Sequence, residues 1–184
     1  GFKFLWSPLV DRLPLPFLTA RLGKRRAWLL LSQLAIAASL LGMANTDPVL
    51  NLTHTVFFAL AVAFASATQD IALDAYRIEA VETEKQGAMA ATYQAGYRIA
   101  MITAGAGALW IAASVDPSEA TYDFRPWQVA YTVMAALMGV GMLTTLIIRE
   151  PEHHVSRATS EREAHTRERF AAAGLRGWAL TAAA

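Results

Sequence analysis

At 184 residues, 55% of them hydrophobic and only 17% charged, the chain falls well below the charge content of about 25% usual for a soluble domain. A net charge of +1 gives nucleic acid no footing. The absence of cysteine excludes disulfides and thiolate metal sites. No cofactor is expected.

The apolar residues are gathered into long runs rather than spread through a soluble core. The chain opens on Gly1 inside an apolar stretch, with no initiator Met and no signal-peptide pattern, and is expected to be a piece of a longer protein. Residues 2–10 read as the end of one membrane helix. Residues 27–45, 48–69 and 127–148 carry no charge, and residues 88–115 carry only Arg98. About 20 apolar residues cross a bilayer as helix. The expected fold is therefore all-α, a polytopic transmembrane bundle with helices near residues 2–10, 28–44, 49–75, 88–114 and 127–148. The links are Asn45-Thr-Asp-Pro48, residues 81–87 and residues 116–126. Being short, they make neighbours antiparallel. Residues 1–150 form this partial bundle. Residues 151–184 are expected to be a charged cytoplasmic tail or linker, because charges alternate in sign between Arg157 and Arg169.

Sidedness follows from Lys and Arg. Twelve basic residues fall on residues 11–26, residues 77–87 and the tail up to residue 170, and one, Arg125, on the opposite links. The positive-inside rule places those three segments in the cytoplasm. Trp28, Trp110 and Trp127 stand near run ends, where interfacial anchors belong.

Three polar features interrupt the apolar pattern. The first is Ser7-Pro-Leu-Val-Asp11-Arg12, then an insert over residues 13–22, then Gly23-Lys24-Arg25-Arg26. A carboxylate and guanidinium groups at helix ends can bond to neighbouring helix termini and hold one conformation closed. Asp11, Arg12, Lys24, Arg25 and Arg26 are the candidate latch, with Asp74 and Glu79 as partners. The competing account is ordinary positive-inside loop charge. The second feature is Gln69-Asp70 with Asp74 and Arg77, where Ser66, Asp70, Asp74 and Arg77 share a helix face. Asp70 lies roughly 31 Å along the helix from Val49, near the cytoplasmic edge of the membrane. Asp70 reads equally as a coupling site or as part of an interfacial polar face. A bond between Asp74 and Arg77 accounts for that pair.

The third feature is Arg98, roughly 15 Å into its helix, with Gln94 one turn before it and Tyr93 and Tyr97 beside it. A guanidinium at mid-membrane needs an anion, carbonyls or water, and Arg suits carboxylates. Substrate binding in a cavity competes with a structural pair to Asp70, which should lie roughly 10–15 Å nearer the cytoplasm. Gly96, Gly105 and Gly107 allow close helix packing. His153-His154, His54 and the sequon Asn51-Leu-Thr53 carry no function by themselves.

Three strings, taken in order, resemble one family: Phe2-Lys-Phe-Leu-Trp-Ser-Pro-Leu-Val-Asp11-Arg12 with Gly23-Lys-Arg-Arg-Ala-Trp28; Ala67-Thr-Gln-Asp70-Ile-Ala-Leu-Asp74-Ala-Tyr76; and Gly96-Tyr-Arg98 with Ala108-Leu-Trp110. They resemble the AmpG-type muropeptide permeases of the major facilitator superfamily, a group similar to acetyl-coenzyme A transporters. Ser7 and the insert depart from the superfamily's loop pattern between helices 2 and 3. The resemblance covers what would be helices 2 to 6, with the facing half of the carrier elsewhere. It implies proton-coupled import of anhydromuropeptides across the bacterial inner membrane. The implied partners are the lipid bilayer, the muropeptide, protons and that facing half. Another anionic solute such as an acyl-coenzyme A, or a truncated remnant without activity, are the alternatives. A membrane-embedded enzyme finds no support: there is no nucleophile with a base, no phosphate loop and no metal-ligand spacing.

Overall fold

The computed structural model describes residues 5–13, 15, 17–81, 83–116 and 121–151, with the side chains of residues 11, 12 and 83 left aside. Among the described residues six α-helices follow one another: α1 Ser7–Arg12, α2 Leu18–Leu22, α3 Lys24–Ala44, α4 Leu52–Ala80, α5 Gln86–Val115 and α6 Arg125–Ile147. A 3₁₀ turn, Thr83–Lys85, leads into α5. No strand occurs among the described residues. Helices α3 to α6 are each long and apolar enough to cross a membrane, and the chain is a multi-pass membrane protein. At 1.5 Å per residue, α3 and α6 are about 32 and 35 Å long, and α4 and α5 about 44 Å each. The latter pair therefore overshoots a ~30 Å hydrocarbon core by several turns.

Boundaries differ from the sequence expectation in instructive ways. The segment expected over residues 2–10 is helical from Ser7 and runs on to Arg12, with residues 1–4 outside the described part. α3 begins at Lys24 rather than near residue 28, so the basic triplet is its first turn and not loop. α4 runs to Ala80, carrying Asp74, Arg77 and Glu79 on regular helix. The insert over residues 13–22, for which no element was expected or excluded, contains α2. The expected charged tail lies outside the described residues apart from Pro151.

α3 is the centre of the packing. α4 and α6 lie on either side of it, α5 packs on the far side of α6, α1 packs on α4, and α2 on α3. Small side chains permit this: Ala27, Ala37 and Ala44 of α3, Ala65 and Ala72 of α4, and Ala130 and Ala135 of α6 are buried. The Phe58 ring of α4 sits so close to Gly42 that any Cβ there would overlap it. Near the other end of α3, Val10, Leu29 and Ala72 form a cluster covered by Trp6, Trp28 and Tyr76. α3 and α6 are also joined by a buried polar contact, with the Thr145 hydroxyl 3.0 Å from both the Gln33 Oε1 and its own helix's Gly141 carbonyl. α4 and α5, consecutive in sequence, have no extended packing on each other. Most of α5 is exposed, with Ala112 alone fully buried. An apolar helix with apolar faces outward is what lipid as solvent requires.

Candidate functional site

The packing brings the N-terminus of α3, the C-terminus of α4 and the C-terminus of α6 to one end, the basic end. Three helix ends meet there through charge. The N-terminus of a helix carries partial positive charge and free N–H groups. Placing Lys24, Arg25 and Arg26 on that terminus is unfavourable unless carboxylates answer. Two do. Glu150, just beyond α6, accepts from the Arg25 amide through Oε1 at 2.7 Å and from the Arg26 amide through Oε2 at 3.0 Å. Glu79 of α4 receives the Arg25 guanidinium through two nitrogens, Nη2 to Oε1 at 2.6 Å and Nε to Oε2 at 3.1 Å. That pair is largely buried, with side-chain exposures of 11% and 23%. Arg26 in turn donates to the last carbonyls of α6, Nε to Thr145 at 2.9 Å and Nη2 to Leu146 at 2.6 Å. Tyr76 of α4 donates its hydroxyl to the Arg149 carbonyl at 2.8 Å.

Gly23 makes the approach possible. Its φ of +88° belongs to the left-handed region, and the Glu150 side chain occupies the space a Cβ would need. A side chain at this position would be strained in backbone and would collide with the cap.

The expected partners sort accordingly. Glu79 does answer the basic cluster. Asp74 does not: its described contact is Arg77, at 3.5 Å one turn along α4. The physical reason is phase. Asp74 precedes Glu79 by five residues, so the two point about 140° apart, and only Glu79 faces α3. Arg77 also lies 5.0 Å from the centre of the Tyr93 ring, a cation–π contact that ties the ends of α4 and α5. The side chains of Asp11 and Arg12 lie outside the described residues, and Lys24 is half-buried in the first turn of α3. Glu150 was missed by the sequence reading. Its signal is faint: a carboxylate directly after one membrane helix, at the level where an antiparallel neighbour begins.

A side-chain contact also joins elements at the opposite end. Tyr122 donates to Asp47 Oδ1 at 2.8 Å, joining the α3–α4 link to the segment before α6. Desolvation, that bond, and the negative charges of Asp47 and Asp123 hold the Tyr122 phenol above its ordinary range. It stays protonated and keeps donating.

The other candidate polar residues lie within α4 and α5, away from these end contacts. Arg98, Gln94 and Tyr97 are exposed on α5, and Gln69 and Asp70 are half-buried on α4. No hydrogen bond or ion pair among the described residues involves Arg98. Gly107, whose Cα faces Met134 of α6, follows Arg98 by nine residues and so lies half a turn out of phase. Arg98 therefore points off the side of α5 that α6 covers. The described contacts do not bring it against Asp70.

Residues 2–184 match the family model of the Major Facilitator Superfamily. The chain belongs to that superfamily. It is 38% identical over 150 residues to the anhydromuropeptide permease of Escherichia coli K12, covering 82% of this chain and 28% of the relative. It is 36% identical over 152 residues to a putative transporter, AmpG 4, of Rickettsia felis, covering 83% and 34%. An uncharacterized protein of Haemophilus influenzae is 37% identical over 153 residues, covering 83% and 33%. The chain thus spans about a third of the length of these superfamily relatives. No solved structure matches. The permease resemblance read from the three sequence strings agrees with these relatives, and the strings fall on α1 to α3, on α4 and on α5.

Proposed function

We propose that this chain forms part of a secondary active transporter that imports anhydromuropeptides across the bacterial inner membrane, coupled to protons, and that its basic end lies in the cytoplasm. The observation that carries the reading is Arg98. It sits in the middle of a 30-residue membrane helix, on a face that α6 leaves uncovered, in a chain 38% identical to an anhydromuropeptide permease. A charge there costs at least about 2.5 kcal/mol unless water or a partner answers it, and an anionic substrate in a wet cavity does both. Cell-wall fragments offer carboxylates to Arg98, and amides and hydroxyls to Gln94 and Tyr97. Gln69 and Asp70 of α4 are proposed for coupling, with Asp70 as the proton acceptor. The interlocked helix ends act as a latch that opens and re-forms as the carrier alternates. The working carrier is proposed to be larger than this chain, with a facing bundle that completes the cavity.

The test is uptake of radiolabelled anhydromuropeptide by bacteria that lack their own permease and express the carrier. Accumulation that collapses on adding a protonophore supports the reading. Uptake at background level, or uptake indifferent to the proton gradient, overturns the substrate or the coupling respectively.

A further inference from the structure

The segment between α1 and α3 has a role that neither the latch nor the cavity uses. Residues 13–22 contain Leu13, Leu15, Phe17, Leu18 and Leu22, an apolar share more typical of a membrane span than of a loop at a charged helix end. The structure turns much of that surface outward. Phe17 is 87% exposed and Leu13 48%. Phe17 also holds a positive φ, with φ 66° and ψ −45°, which is costly for an aromatic residue. The hydroxyl of Thr19 accepts the Leu15 amide at 2.8 Å and stiffens the turn that leads into α2. A shallow groove runs over the outer side of α2, bounded by Phe17, Leu18, Leu22 and the exposed Arg21.

The position of this segment is fixed by α3. α2 packs on α3, and the Trp28 indole donates to the Leu13 carbonyl at 3.0 Å. From the half-buried Trp28 a stripe runs on at helical spacing, Leu31, Leu34, Ala35, Ala38 and Leu41, all of them exposed and apolar. In a membrane helix such a stripe faces lipid. The segment is therefore moored at the basic-end edge of the lipid-facing side of α3, one turn inside the helix, where acyl chains give way to headgroups. Short elements with apolar residues on one side and a basic residue beside them lie in that boundary, the apolar part in the acyl region and the cation among anionic headgroups.

We propose that residues 13–22 are an interfacial anchor that docks into the anionic lipid leaflet at the basic end, with Phe17 inserted among the acyl chains and Arg21 on a lipid phosphate. The anchor steadies the first turn of α3, where Arg25 and Arg26 engage α4 and α6.

Because the sequence has no cysteine, Phe17→Cys offers a unique attachment point for a nitroxide label in the protein reconstituted into vesicles of phosphatidylethanolamine and phosphatidylglycerol. Leu34→Cys and Glu84→Cys serve as references for lipid and water. The expected result is oxygen collision exceeding that of a water-soluble nickel chelate at position 17, at a depth shallower than at position 34. In a second protein carrying Arg21→Gln as well, the ratio of docked to undocked label should fall about fivefold, the equivalent of about 1 kcal/mol for one basic residue at an anionic surface. Phosphatidylcholine vesicles should give the same fall without the substitution. Nickel accessibility equal to that at position 84 overturns the proposal. So does spin–spin broadening that vanishes on dilution with unlabelled protein, which identifies a second copy as the occupant. A docked ratio indifferent both to Arg21→Gln and to lipid charge also overturns it.

Discussion

Glu150 and Arg26 cap each other's helices: the carboxylate that follows α6 closes the amides of α3, while the guanidinium from the first turn of α3 closes the carbonyls of α6. Each removes orphan backbone groups that the other's helix end would leave unsatisfied. The exchange explains why a basic triplet is tolerated at the positive end of a helix.

Glu150→Ala should therefore destabilise the protein by about 1–2 kcal/mol, the usual worth of a lost N-cap. For a chain of this size each kcal/mol lowers Tm by about 2–4 °C. Glu150→Gln retains acceptor oxygen without charge and should lose roughly half as much. Thermal unfolding in detergent, followed by tryptophan fluorescence, reads the difference; equal losses for the two variants would show that the charge is irrelevant.

Arg25 and Glu79 should prove coupled rather than merely adjacent. The pair is largely buried and doubly bonded, so removing either partner strands the other. Arg25→Ala and Glu79→Ala should each cost about 3 kcal/mol, and the double variant little more than either alone. A double-mutant cycle in which the two losses simply add would assign the contact no energy. Transport by the double variant should lose its dependence on the latch, with uptake reduced by weaker closure rather than by failed insertion.

Gly23→Ala is expected to cost about 1–3 kcal/mol, because φ +88° strains any side chain and Glu150 fills the space beside it. The loss should shrink in a Glu150→Ala background, where only the backbone strain remains. Stability measured for the two single variants and the double variant decides it: a Gly23→Ala cost unchanged by removing Glu150 means that the collision plays no part.

Arg98→Lys keeps the charge but loses the planar fork, so substrate affinity should fall about tenfold, as for losing one hydrogen bond to a charged group. Arg98→Ala should reduce uptake further, while the amount of protein inserted in the membrane stays unchanged. Normal uptake in both variants would remove Arg98 from the substrate path.

What the sequence disclosed follows a physical divide. Apolar runs long enough to span a bilayer identified α3 to α6, because in lipid each span must satisfy its own backbone and is read locally. Helix ends were placed less well. Lys24, Arg25 and Arg26 read as loop because an isolated helix would not begin with them, and the carboxylate that reverses this argument lies over a hundred residues away. Arg25–Glu79 was within reach, since both residues belong to the basic side. Asp74 was read both as Arg77's partner and as a partner of the basic cluster, and the structure shows the former, because Arg77 lies one turn away on the same helix. Glu150 was missed because a single carboxylate after a membrane helix gives no sign of the helix start, over a hundred residues away in sequence, that it caps.

The distance in sequence between the two halves of the reciprocal cap has a consequence in time. Arg26 and Glu150 are 124 residues apart, and a ribosome adding about 5–20 residues per second needs roughly 6–25 s to connect them. Through that interval α3 has already entered the membrane with the amides of Arg25 and Arg26 facing only water or lipid headgroups. α3 is thus built early and finished late, its first turn closed only once Glu150, more than a hundred residues on, has left the ribosome.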